Sequence, residues 1–278
     1  MTLARKKNIP YLVRPIGQLE AWSLAQSKIR KQCYLNLIEK ENIVNASAIH
    51  FTAETEKKQS LAALNQPIKN NVIPLGINRS KDIARAQSKM TERWSLKSKT
   101  ITLLFLSRLH PKKGLELLLK ALTYMKQQHV QLIIAGEGDA QYTQSLIGLC
   151  QSLQLSEQCH FVGHVDGYDK QLLLQGSDLF VLPSHSENFG IATLEALASA
   201  TPVLISDQVA LSKEVKEHNL GWVFKLNEAD LKQSLKLALD NQAQYKQLGE
   251  NAKAYTRDNF NWSKQATKLI GLYQEVIC

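Results

Sequence analysis

The chain has 278 residues, 44% of them hydrophobic and 21% charged, with a net charge of +9; there is ample chain for a folded core, so neither a disordered chain nor a small disulfide scaffold is expected. No apolar run approaches the roughly 18 residues of a membrane span, and no apolar stretch follows the basic start Met1–Lys7 as a secretory signal requires. Cys33, Cys150, Cys159 and Cys278 are scattered, with neither CxxC nor metal-ligand spacing, which points to the reducing cytosol.

In the first third, short apolar runs at Tyr11–Val13, Ala48–Thr52 and Val72–Ile73 predict strands, and Trp22–Glu39 and Glu54–Leu64 predict helices. The polar stretch 78–99 carries no strand and reads as a connection after a boundary near Pro74–Gly76. Beyond it, Ile101–Leu106, Val130–Ala135, His160–Val162, Asp178–Leu182, Pro202–Ile205 and Gly221–Phe224 read as buried strands. Helical spacing separates them at Gly114–Gln127, Gln141–Leu153, Asp169–Gln175 and Gly190–Ser199. That alternation predicts an α/β architecture with parallel, doubly wound sheets. The chain then reads as helix at Glu228–Leu239, Ala243–Arg257 and Trp262–Ile277. The expected organisation is a first domain over residues 1–75, a connection over 76–100, a second domain over 101–260 and a closing helix over 261–278. A doubly wound domain has about five or six strands, so the first domain, with three, is expected to be incomplete.

Charge is distributed unevenly. Residues 1–100 hold 18 Lys and Arg against 7 Asp and Glu, and the remainder hold 16 against 18. A basic block of this kind suits a membrane surface, a phosphorylated substrate or nucleic acid, or is a solvated face with no partner. Nucleic acid is the weakest of these. Basic residues recur near Trp22, Tyr34 and Trp94, but no helix-turn-helix, RRM, KH or zinc pattern is present. A basic amphipathic helix around Lys28, Arg30, Lys31 and Lys40, carrying Trp22, Leu24, Ile29, Leu35 and Leu37, suits anionic lipid; it equally suits packing on its own sheet with a wet basic face.

Two strand-to-helix turns carry the candidate chemistry. Ile101–Leu106 runs into Ser107-Arg108-Leu109-His110-Pro111-Lys112-Lys113-Gly114. There Arg108 and Lys113 stand at the carboxyl end of a strand, where open α/β sheets bind ligands, and two cations beside a helix start suit a diphosphate. The plain alternative is a surface loop with solvated charges. Asp178–Leu182 runs into a turn with Glu187, Asn188, Phe189, Gly190 and Ile191, and then a helix with Glu195. Gly190 lets backbone approach a ligand, and the amides near Phe189–Ile191 suit an anion. Glu187 and Glu195 lie eight residues apart, about 80° round a helix, so they cannot form a metal pair on one face. Glu195 suits a ribose diol and Glu187 a sugar, and the apolar neighbours of Glu195 argue for a partly buried, paired carboxylate rather than a surface one.

Between the turns, Gly136-Glu137-Gly138 opens like a dinucleotide fingerprint but has Gln141 at its last position and follows the second strand, so a nicotinamide oxidoreductase is an improbable rival. A close-approach phosphate turn or a structural turn fits better. His160-Phe161-Val162-Gly163-His164 ends a strand whose backbone suits a nucleobase edge. No Walker sequence, nucleophile elbow, His-Glu-x-x-His or Asp-x-Asp is present, and no metal site is expected.

In combination these motifs resemble a retaining glycosyltransferase of the GT-B fold, family 4, the "group 1" enzymes. The resemblance rests on Ser107-Arg108-Leu109…Lys112-Lys113-Gly114, Gly136-Glu137-Gly138, Phe161-Val162-Gly163, Glu187 with seven residues before Glu195, Pro202–Ser206 and Asn261-Trp262-Ser263, and covers roughly residues 9–278. It implies two Rossmann-like domains, with a UDP- or GDP-sugar held mainly by the second. Arg108 and Lys113 would neutralise the diphosphate and Glu195 would hold the ribose. Glu187, with the backbone at Asn188–Gly190, would orient the sugar, and Gly136, Gly138, His164 and Ile191 would complete the donor site. It implies no cofactor and no metal, and a glycan or lipid-linked acceptor in polysaccharide biosynthesis. A cytoplasmic location follows, with peripheral membrane contact through the basic third. Two positions depart from the family pattern: Ile16, within Arg14-Pro15-Ile16-Gly17-Gln18, stands in a frequent His place, and Ala200 in a frequent Gly place. The incomplete first domain leaves a second expectation, a nucleotide-sugar-binding module without transfer activity.

Overall fold

Ile49 and Phe51 on one side of a strand, and Ala48 and His50 on the other, are all buried, so this strand must be covered on both faces. In the computed structural model, which describes residues 2–78, 81–125 and 129–277, it lies at the centre of the first of two compact units. That unit comprises Met1–Asn78, Glu187–Phe189 and Asn259–Cys278; the second comprises Arg79–Ser186 and Gly190–Asp258.

The first unit opens with α1 (Thr2–Lys6), β1 (Leu12–Val13), α2 (Ala21–Ala25), α3 (Lys28–Tyr34) and α4 (Lys40–Val44). It continues with β2 (Ala48–Phe51), α5 (Glu54–Leu64) and β3 (Asn70–Val72). The strands are parallel in the order β1-β2-β3, with Leu12 opposite Ala48 and Ile49 opposite Asn70. Val13, Leu19, Leu35, Ile43 and Leu64 pack with Ile49 and Phe51. On the other face Ala48 and Ile73 pack with Leu272.

The single helix expected over Trp22–Glu39 is divided. It breaks at Gln26–Ser27, where Ser27 adopts φ +53°, and then continues to Val44 through a π turn at Leu35–Glu39. The π turn has a packing reason. Leu35 and Ile43 are both buried in one cluster, and eight residues of straight α-helix would set them about 80° apart. The wider turn unwinds that offset.

The second unit begins with α6 (Ala86–Arg93), inside the stretch expected to be a plain connection. Ala86 and Met90 are buried, and a Cβ on Gly176 would lie 2.9 Å from Met90 Sδ. Only two of its eight residues are apolar and buried, so its periodicity is faint.

Then β4 (Ile101–Leu106), α7 (Leu115–Leu122), β5 (Val130–Ala135), α8 (Ala140–Ser152), β6 (Cys159–Gly163), α9 (Gly167–Gly176), β7 (Leu179–Leu182) and α10 (Ile191–Ala198) alternate. They are followed by β8 (Val203–Ser206), α11 (Ser212–Glu217), β9 (Gly221–Phe224), α12 (Glu228–Asp240) and α13 (Tyr245–Asn259). The last two residues of the helix expected over Gly114–Gln127, and Cys278, lie outside the described residues. All six strands are parallel, in the order β6-β5-β4-β7-β8-β9. Their near-continuous apolar character is what a sheet covered on both faces demands. Strand order reverses between β4 and β7, so the two motif-bearing turns leave adjacent strands at the switch point.

The last helix, α14 (Trp262–Ile277), belongs to the first unit. Its Trp262 leaves no room for a Cβ on Gly76, which would fall 2.4 Å from the indole. Among the described residues no helix is long and apolar enough to cross a membrane.

Candidate functional site

The turn after β4 is held on both sides by backbone. Its 3-10 turn, Pro111–Lys113, is capped by His110, whose Nδ1 accepts from Lys112 N at 3.1 Å. Lys112 O accepts from His185 N at 2.7 Å and from Ser184 Oγ at 3.0 Å, which ties this turn to the one after β7. Ser206 Oγ, at the end of β8, donates to Ser184 O at 2.5 Å. Gly114, at φ +68°, sits where a Cβ would be 2.1 Å from Pro183 O, so only glycine lets these turns close on one another.

Toward β5 and β6 the arrangement repeats. Leu109 N donates to Glu137 O at 2.8 Å and Gly136 N to Gly163 O at 2.7 Å. A Cβ on Gly136 would lie 1.9 Å from Ser107 O, and one on Gly138 would lie 2.0 Å from Leu109 O. The close approach made by Gly136 and Gly138 is thus to the neighbouring turn. The carboxyl ends of β6, β5, β4, β7 and β8 form one hydrogen-bonded rim.

On this rim Arg108 is exposed, and Lys112 and Lys113 are half-buried. Burial first, and then the charges of Arg108, Lys113 and Lys112, hold the His110 imidazole below its ordinary pKa. The turn is a cationic surface that favours an anion. Gly190, at φ +77°, directly precedes α10. The hydroxyl of Thr193, in the first turn of α10, is buried without a hydrogen-bond partner, while Ile191 is exposed. Glu195 projects from α10 between buried Leu194 and Ala196. It is paired: Lys170 Nζ, on α9, lies 2.6 Å from Glu195 Oε1. His164 is exposed just after β6. Among the described residues no three His, Cys, Asp or Glu side chains gather as a metal site.

Glu187, Asn188 and Phe189 cluster with the first unit, whereas Arg108, Lys113, Gly136, Gly138, His164, Gly190, Ile191 and Glu195 lie in the second. Phe189 is buried edge-on against Phe260, with ring centroids 5.9 Å apart. With its amide turned to satisfy both carboxylates, Asn188 Nδ2 donates to Glu56 Oε2 at 3.0 Å and to Glu20 Oε1 at 3.2 Å. The side chain of Asn188 is therefore engaged by these two carboxylates.

Glu56 is a buried anchoring carboxylate that the sequence reading missed. It is fully buried, and it accepts from Gly17 N at 2.9 Å, Thr52 N at 2.8 Å and Thr52 Oγ1 at 2.9 Å. It anchors the loop Arg14–Gln18, in which Ile16 is 62% exposed at φ +51°, a left-handed conformation strained for a β-branched residue. Only the spacing of Thr52 and Glu56 at a helix start could have signalled it.

Residues 86–255 match the family model of the glycosyl transferases group 1. The chain belongs to this family. A phosphatidyl-myo-inositol mannosyltransferase of Mycobacterium leprae is 32% identical over 181 residues, 63% of this chain and 46% of that protein. An uncharacterized glycosyltransferase of Methanocaldococcus jannaschii is 31% identical over 62% of this chain and 44% of its own length. The chain spans about half the length of the curated relatives it matches. Among solved structures, sucrose-phosphate synthase from Thermosynechococcus elongatus superposes with a TM-score of 0.84 at 22% identity, over 99% of this chain and 70% of that one. Anabaena HepE in complex with UDP-glucose gives 0.84 at 19% identity, over 98% and 74%. The group 1 chain thus has the GT-B fold of these neighbours, as its motifs predicted.

Proposed function

We propose that the chain is a retaining family 4 hexosyltransferase, drawing on a UDP- or GDP-sugar and a glycan or lipid-linked acceptor in polysaccharide biosynthesis at the cytoplasmic side of a membrane. The observation that carries this reading is the cationic turn at the β4/β7 switch point, which depresses His110 and is hydrogen-bonded through Lys112 O to Ser184 and His185. In sugar transfer the departing nucleoside diphosphate gains negative charge, so groups that meet that charge lower the barrier. Arg108 and Lys113 meet that charge as fixed cations, the start of α10 behind Gly190 meets it with backbone amides, and these do the work a divalent ion does elsewhere. Glu195 accepts from the ribose hydroxyls, Glu187 orients the hexose, and the diphosphate assists removal of the acceptor proton on the same face. In this reading residues 101–260 hold the donor and residues 1–75 serve the acceptor.

Two features support a lipid-linked acceptor. A cavity of about 430 Å³ in the first unit combines Arg14 and Lys31 with apolar Leu19, Leu24 and Leu35. Ile29 and Leu37, 82% and 81% exposed, stand among Lys28, Arg30 and Lys40, a composition suited to an anionic lipid surface. The M. leprae relative, a phosphatidyl-myo-inositol mannosyltransferase, also supports a lipid acceptor.

The test is calorimetry with UDP and GDP beside a donor-hydrolysis assay on UDP- and GDP-hexoses. One diphosphate is expected to bind, to lose affinity in Glu195→Ala, and its hexose donor to turn over with the anomeric configuration kept. Binding without turnover would identify a donor-binding module, and no binding of either diphosphate would sink the donor site.

A further inference from the structure

We infer that Lys170 is a positioning residue that presets Glu195 for ribose recognition and so sets the preference for ribonucleotides; the inference rests on the reading of Glu195 as the ribose carboxylate. Lys170 Nζ lies 2.6 Å from Glu195 Oε1, and the two side chains are only 28% and 19% exposed. A pair this sheltered is stronger and less screened than a surface one.

Its position within the fold argues for a purpose. Lys170 is the fourth residue of α9, where a cation opposes the positive end of the helix. Its neighbour Asp169 is occupied by Arg93 at 2.9 Å, so Glu195 is the carboxylate that compensates Lys170. The contact also leaves the carboxylate asymmetric. Oε1 carries the ammonium, and Oε2 receives no hydrogen bond from any described residue. A glutamate free to rotate would lose side-chain entropy on binding a diol, whereas one already held loses little. A carboxylate accepts from the 2′- and 3′-hydroxyls together, and a 2′-deoxy sugar brings one of those two donors too few.

The experiment measures dissociation constants of UDP and GDP and of their 2′-deoxy forms for the full chain and its Lys170→Met, Lys170→Arg and Glu195→Ala variants, with thermal midpoints alongside. The unaltered protein is expected to prefer the ribonucleotide by about tenfold or more, the scale of a hydrogen bond to a charged group. Lys170→Met is expected to erase most of that preference at an unchanged midpoint, and Lys170→Arg to restore it. Where Lys170→Met fails to fold, Lys170→Gln, which keeps length and a donor but no charge, carries the same comparison. If Glu195→Ala abolishes the preference while the neutral Lys170 variants keep it, the positioning role is overturned and Lys170 is a structural ion pair. If Glu195→Ala itself keeps the preference, the ribose reading fails and the inference falls with it.

Discussion

Arg108, Lys112 and Lys113 place three positive charges within six residues, an arrangement that costs folding energy unless an anion uses it. Arg108→Ala and Lys113→Ala are each expected to weaken nucleoside diphosphate binding by about 10- to 100-fold, the worth of a hydrogen bond between charged partners. The loss should be smaller for the monophosphate; equal losses in calorimetry would refute the diphosphate assignment. His110 reports on the same field. Its imidazole is held below the usual histidine pKa by burial and by Arg108, Lys113 and Lys112, and a bound diphosphate offsets the cationic part, so the pKa should rise in the complex. The ring then takes up a proton on binding, and donor affinity should increase as the pH falls through the window between the free and bound values. An NMR titration of His110 with and without a nucleotide sugar, whose diphosphate does not titrate there, checks this; an unmoved resonance counts against a nearby diphosphate. The two cations were legible because they adjoin a strand end in sequence. The engagement of Asn188 by Glu20 and Glu56 was not, because those carboxylates lie more than a hundred residues away.

Helix ends and helix faces account for two further outcomes. α10 closes in a Schellman motif: Thr201 N donates to Ala196 O at 3.0 Å and Ala200 N to Leu197 O at 3.1 Å. The motif forces Ala200 to φ +63°, the position where glycine is favoured for want of a Cβ. Ala200→Gly is therefore expected to stabilise the chain by about 1 kcal/mol, the left-handed penalty less the added freedom of the unfolded state. A lower denaturation midpoint would contradict that account. The family resemblance marked this as a frequent glycine place, but the hydrogen bonds that explain it were not legible in the sequence. α6 is the converse case, a helix hidden by its polar faces and secured by Met90 against Gly176 of α9. Met90→Ala should cost about 2–5 kcal/mol, as other buried large-to-small changes do. An effect under 1 kcal/mol, measured by denaturant unfolding, would return 78–99 to the status of a loose connection.

At the scale of the whole molecule, the positive excess lies in residues 1–100, and part of it surrounds the exposed apolar residues of α3 and its π turn. Co-sedimentation with phosphatidylserine vesicles is expected at low salt, to fall as salt screens the surface, and to be lost in Ile29→Asp/Leu37→Asp; unchanged sedimentation of that variant would leave the face merely solvated. The sequence by itself determined the six strands of the second unit and the glycosyltransferase turns at their ends, because a strand buried on both faces is written as a local apolar run and its turn follows directly. Only the tertiary structure decided what those turns and helices touch. Glu56 becomes an anchor for Gly17 and Thr52, Lys170 a partner for Glu195 across 25 residues, and Leu35 a neighbour of Ile43 through a π turn. Apart from Thr52, four residues from Glu56, the partners of these carboxylates come from chain segments distant in sequence, which no local pattern encodes.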